Sequence, residues 1–382
     1  MHLQRISARA LKTRDAATMP TFAYIGCRTT RQRAARGQGI QVYLMGAPGE
    51  SWRPVQSVDG LENPSYLLVE PCRGVLYAVH GDGSEVSAFR IHPASGRLAL
   101  MGRQPTGGRN PVHLCMTKDG DHLVVANYAT GTVAALPVIG DGALAAPASV
   151  LALPGQPGPH RVEQQGSHPH QALRLRGTNR FVFPDKGADC VWMADFDSAA
   201  GRWQQQTLWH ATAREGAGPR HAVLHPDGSA LYVANELDST LTTYALTPDQ
   251  RLSPQHLVAL LPESFTGNSR AAGVALEPRS MTLFISNRGH DSVTCIALDR
   301  DTGLPAGRHW ISAGGQTPRF IALDAPARQL IVANETSDTI QAFFLHDAGG
   351  KWQLPGLPFT AARTGSPTCV AFYQTDFRSN SQ

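Results

Sequence analysis

Short apolar runs, four to eight residues long and broken by Gly, Pro, Asn and Asp, follow one another along most of this chain. The same order of runs recurs six times: NPSYLLVEPCRGVLYAVH (63–80), NPVHLCMTKDGDHLVVAN (110–127), HPHQALRLRGTNRFVFPD (168–185), GPRHAVLHPDGSALYVAN (218–235), RAAGVALEPRSMTLFISN (270–287) and TPRFIALDAPARQLIVAN (317–334). The fragment SPTCVAFY (366–373) opens a seventh copy. A repeat of roughly 50 residues marks a solenoid, a propeller or an array. In the fourth copy the pattern predicts strands over 221–225, 231–235, 241–246 and 255–261, with a turn at Pro226-Asp227-Gly228. No unit holds a run of period 3.6, which excludes a βα repeat. Four short antiparallel strands per unit make one propeller blade.

Pro64, Pro111, Pro169, Pro219, Pro318 and Pro367 stand at the start of each first strand, and Ala271 takes that place in the fifth copy. Seven starts predict an all-β, seven-bladed β-propeller of four-stranded antiparallel blades. The last blade lacks three strands at the C-terminus, and three unassigned runs, 22–26, 40–44 and 54–58, lie at the N-terminus. Joining both ends in one sheet closes the ring and leaves no open edge to pair with another chain. This predicts a single domain over 20–376. Residues 1–19 form a flexible tail or a misplaced start before Met19, and 377–382 form a C-terminal tail. The irregular stretch 154–167 reads as a connection between blades.

Composition narrows the function. The 382 residues are 42% apolar, with 37 Gly and 27 Pro, as many short strands and tight turns require. A formal charge of +4 is too small to argue for nucleic acid and suits a small anionic ligand. Six cysteines form no CxxC pair and predict buried thiols in a reducing compartment, hence the cytoplasm. No run is long and apolar enough to span a membrane, and the N-terminus lacks the apolar core of a secretory signal. A monomer or weak homo-oligomer is expected.

Strand order locates the chemistry. With strands A to D running outward from the axis, A begins at the rim where B ends. Two residues per blade therefore meet there, one after the leading proline and one after strand B. The first set is Ser65, Val112, His170, Arg220, Ala272, Arg319 and Thr368. The second is Gly81, Tyr128, Lys186, Glu236, Arg288 and Glu335, with Cys27 assigned to the blade shared by the termini. Neighbouring positions are uniformly Pro, aliphatic or Asn, whereas these two sets hold charge. Arg28, Arg31, Arg33 and Arg36 of the segment CRTTRQRAARGQ add cations to the same rim. Polar groups converging on a concave end mark a ligand site.

The segments YIGCRTT, SHPHQ, GPRHAVLHPDG, LYVANEL, FISNRGHDSV and TPRF resemble the seven-bladed propeller lactonase family, which includes propeller-type 6-phosphogluconolactonases and 3-carboxy-cis,cis-muconate lactonising enzymes. The resemblance covers nearly the whole chain after Met19. It implies active-site roles for His170 (or His168) of SHPHQ, Arg220 of GPRH, Glu236 of VANEL and Arg288 of SNRG. This chain has Asp185-Lys186-Gly187 where the family usually has Asp-Leu-Gly, which adds a cation near the mouth. Its fifth unit lacks the leading proline.

Opening a lactone needs an activated water, a base and donors for the developing oxyanion. Glu236 is the expected base, with His170 sharing or relaying the proton. Arg220 and Arg288 are expected to hold the substrate's carboxylate or phosphate and stabilise the oxyanion. His168, Lys186, Arg319, Glu335, Tyr128 and Arg28 are the further substrate-binding candidates. No GxSxG elbow is present. His168-Pro169-His170 has no third ligand at metal-site spacing, so neither a metal nor another cofactor is expected. Three functions fit: hydrolysis of an anionic sugar lactone, the reverse closure of a carboxymuconate-type polycarboxylate by a cycloisomerase, and ligand binding without chemistry.

Overall fold

A computed structural model describes residues 20–324, 326, 328–347, 352–353 and 357–374; the expected tails lie outside them. Among the described residues, seven antiparallel sheets form the blades, six of four strands and the second of five because its outer strand is split in two. Strands follow chain order in each except the blade shared by the termini, and a two-stranded hairpin is inserted in the sixth. Blade 1 runs from Pro64–Glu70 through Val75–His80 and Glu85–Ile91 to Leu98–Pro105. Blade 4, the template for the sequence reading, comprises Pro219–Leu224, Ala230–Asn235, Thr240–Leu246 and Leu252–Ala259. Its strands begin one to three residues earlier than the apolar runs, because pairing continues into polar residues at each turn.

The termini share blade 7. Pro367–Gln374 is its strand A, and Thr21–Cys27, Ile40–Leu44 and Arg53–Val58 are strands B to D. Ala23 pairs with Phe372 and Tyr24 with Ala371 in this closing seam. Seven apolar clusters fill the seven interfaces between neighbouring blades. Strand B of blade 5 shows how: Leu283 and Ile285 face blade 4, while Phe284 between them faces blade 6. Covered on both faces, B strands such as Val75–His80 and Ala230–Asn235 are buried end to end. That burial explains why they read as unbroken apolar runs rather than alternating ones.

Two devices recur at the functional rim. Strand A carries a bulge just after its leading residue, so that Ser65, Val112, Arg220 and Arg319 each fall outside the ladder. A bulge twists the strand and re-aims the extra side chain. At the end of strand B, Asn235 donates through Nδ2 to Thr240 and Thr242, both at 2.9 Å, and Asn287 does the same to Ser292 and Thr294. These asparagines lock the turn from strand B to strand C and leave the next residue free to point into the mouth.

Two details differ from the sequence reading. The strand A expected from HPHQALRLRG is reduced to Leu173–Arg174 and one bridge between Pro169 and Asp185. In place of a backbone ladder, the Gln171 side chain accepts a bond from Ala222 N at 2.6 Å and donates to Ala222 O at 3.2 Å in the next blade. The residue after strand B in blade 7 is Arg28, not Cys27. Cys27 pairs with Pro367 as Asn235 pairs with Pro219, and its side chain is buried. Arg28 N donates to Ser366 O just as Glu236 N donates to Gly218 O. The error arose because blade 7 is split between the termini and offers no local copy of the Asn turn to align on.

Candidate active site

The two sets of rim residues converge. A cavity of about 270 Å³ at the mouth is lined by His170, Arg220, Glu236, Arg288, Lys186, Arg319, Arg28 and Tyr128, together with Arg33, Glu163 and His221. Its volume suits a ligand the size of a sugar acid. Glu335 stands just behind, fixing two of the arginines. His168 is placed elsewhere: it stacks on the back of Tyr128 (ring centroids 4.6 Å apart) and lines a shallow hollow beside the mouth.

Glu236 is the hub. Its Oε2 lies 2.8 Å from Arg220 Nε and 3.0 Å from Arg288 Nη2, and its Oε1 is 2.8 Å from Lys186 Nζ. Side-chain exposure is 3% for Arg220, 5% for Glu236 and 6% for Lys186. Burial alone would raise the Glu236 pKa, but the charges of Arg288, Lys186 and Arg220 outweigh it and hold the carboxyl well below the usual range. Burial, with the opposing charge of Arg288, pushes Arg220 well below an ordinary arginine. Three guanidinium nitrogens in this cluster, Arg220 Nε and Nη1 and Arg288 Nε, are buried without a well-aligned hydrogen bond, Arg220 Nε meeting Glu236 as an ion pair alone. Orphaned buried donors are costly and invite a ligand acceptor.

His170 completes this side. Its Nδ1 is buried and unpartnered, and its ring meets His221 at 5.2 Å and Tyr128 at 5.6 Å, both edge-on. Burial, reinforced by Arg220, lowers its pKa well below that of a free histidine, so the imidazole is neutral. His221 and His113 continue inward as a chain of rings that ends on Tyr66. Both are neutral for the same reasons, His113 being pushed down to about 3.

Three ionic groups, Glu163, Arg270 and Asp82, escaped the sequence reading. Glu163, on the connection between blades 2 and 3, bridges Lys186 and Arg270. Gln164 pins that connection by donating to Lys186 O at 2.9 Å and accepting from His160 N at 3.0 Å. Arg270 precedes Ala271, in the one blade that lacks the leading proline. The available signal was placement: connections from strand D to the next strand A lie on this rim.

On the opposite side, Glu335 accepts from Arg28 Nε at 2.8 Å and meets Arg319 Nη1 at 3.5 Å. Asp82 binds Arg33 and lies 3.7 Å from Arg28. Burial and the neighbouring Arg319 lower Arg28 to about 10. Arg36 of the same segment turns outward to Asp338. Among the described residues, seven cations of the mouth (Arg28, Arg33, Lys186, Arg220, Arg270, Arg288 and Arg319) meet four carboxylates (Asp82, Glu163, Glu236 and Glu335), a surplus of three positive charges. Among the same residues, no group of three or more His, Cys, Asp or Glu is arranged to hold a metal ion.

Fold and site thus define a seven-bladed propeller with a cation-rich pocket at one end of its axis. The family model described as lactonase, 7-bladed beta-propeller, matches residues 22–372, and the chain belongs to that family. It is 29% identical over 316 residues to a 6-phosphogluconolactonase of Bacillus subtilis, covering 82% of this chain and 88% of that protein. A 6-phosphogluconolactonase of Formosa agariphila is 28% identical over 350 residues, covering 88% and 96%. The solved structure of a periplasmic gluconolactonase from Pseudomonas aeruginosa superposes with a TM-score of 0.83 at 27% identity, covering 94% of this chain and all of that one.

Proposed function

We propose that this protein hydrolyses an anionic sugar lactone of the 6-phosphogluconolactone type, with His170 as the base that activates water. The observation that carries this reading is the surplus of positive charge around a neutral imidazole that lines the cavity. Glu236 was the expected base, but both its oxygens already serve cations. Its part in this reading is to hold Arg220 and Arg288 in place.

The lactone carbonyl sits against the guanidinium groups of Arg220 and Arg288 that line the cavity. Water attacks the carbonyl carbon as His170 takes a proton, and the arginines stabilise the oxyanion that forms. The intermediate collapses with cleavage of the ring C–O bond, and the imidazolium returns the proton to the departing alkoxide. A substrate anion among the arginines also cancels part of the field that depresses His170, so binding strengthens the base.

No step is routed through a metal ion, and activity is expected to survive exhaustive EDTA treatment. The test is a panel of phosphorylated and neutral sugar lactones, followed by acid release, beside carboxymuconate, followed by loss of diene absorbance. Saturable acid release from a lactone supports hydrolysis. Loss of the diene signal with no lactone turned over would replace this reading with cycloisomerisation.

A further inference from the structure

We propose that the mouth has two poles, and that Arg319, with Arg28 and Arg33, seats the phosphoryl group of a sugar-phosphate lactone while the ring is opened at the His170 pole. This assignment rests on the lactonase reading above.

The poles occupy different blades. His170, Arg220, Glu236 and Arg288 come from blades 3, 4 and 5. Arg319 is the bulge residue of blade 6, and Arg28 and Arg33 come from blade 7. All three line the same cavity as the reacting groups. A ligand with its charge remote from its ring can therefore span from one pole to the other.

The pairing also differs. At the His170 pole, one buried carboxylate draws Arg220, Arg288 and Lys186 inward. At the other pole, three guanidiniums share Glu335 and Asp82. Arg28 holds Glu335 at 2.8 Å, which leaves Arg319 a single long contact of 3.5 Å to the same carboxylate. Arg319 also lies within the electrostatic reach of Arg28, Arg220 and Arg288. Three guanidiniums against two carboxylates, Glu335 and Asp82, leave this pole one positive charge in excess. Side-chain exposures of 20% for Arg319 and 42% for Arg33 leave these forks room to turn onto a ligand. A phosphate dianion offers several acceptors to planar guanidinium forks, whereas a neutral lactone offers this pole nothing.

The test compares kcat/KM for a 6-phosphorylated sugar δ-lactone and its unphosphorylated twin in the wild type, Arg319→Gln and Arg319→Lys. Inorganic phosphate serves as a competitive probe, and thermal melting checks the fold. In Arg319→Gln, the preference for the phosphorylated lactone is expected to fall about 10- to 100-fold, through KM rather than kcat. Inhibition by phosphate should weaken in parallel, and Arg319→Lys should recover part of both. Equal losses on the two lactones, or an unaltered preference, would overturn the two-pole assignment while leaving the lactonase reading intact. A wild type that hydrolyses neither lactone would instead defeat the lactonase reading, and the subsite with it.

Discussion

The halves of the mouth are built from the same two positions of the same repeat, yet they obey different electrostatics. Over blades 3 to 5 the inner groups, Arg220, Arg288 and Lys186, are drawn onto one dry carboxylate, with Glu163 and Arg270 at its wetter edge. Over blades 6 and 7 they are partly wet and share carboxylates unevenly. Desolvated, tightly paired groups hold geometry at a cost in solvation, and solvated ones adapt to a ligand. The lesson is that one scaffold position serves positioning or recognition according to how much water reaches it.

The sharpest way to break the contrast is at His170. His170→Ala is expected to lower kcat by about 10²–10⁴-fold, the usual worth of a positioned base. Added imidazole should restore part of the rate. A variant that keeps near-wild-type kcat would remove the base from the dry half.

Next in size is the stability held by Glu236. Glu236→Ala strands Arg220 and Arg288 without their shared counter-charge and leaves Lys186 only Glu163, and the expected loss is about 3–5 kcal/mol by urea denaturation. The same truncation at the wetter Glu335 should cost clearly less. Equal losses would mean that the halves do not differ as described.

A third effect is graded with pH. His113, His170 and His221 have native pKa values depressed by burial, below the unfolded value of about 6.5. Below that pH the unfolded chain takes up protons that the native state refuses. Stability is therefore full above about pH 6.5 and falls on acidification, by at most about 4 kcal/mol per unit once all three are engaged. Glu236, also depressed, adds to the loss below about pH 4.5. Unchanged urea midpoints between pH 7 and pH 5 would argue that these imidazoles are not held neutral.

Much of this was legible in the sequence because repetition separates scaffold from variable positions. The leading prolines, the terminal asparagines of strand B and the charged residues beside them place His170, Arg220, Glu236, Arg288, Lys186 and Arg319 around one cavity. What escaped did so for identifiable reasons. Glu163 lies on a connection with no counterpart in other units, so no register could aim it. Arg270 precedes the expected position by one, where the absent proline lets strand A start early. His113 and His221 directly follow the bulge residue of their strands, where the period of two is broken. Arg28 was displaced by one because its blade is divided between the ends of the chain.

The most direct test of the central claim is the initial rate of acid release from a 6-phosphorylated sugar δ-lactone by the wild-type protein, after subtraction of spontaneous hydrolysis. The account predicts a saturable rate far above that background. A rate indistinguishable from it, with well-folded protein, would contradict the claim that this cationic mouth is built to open lactones.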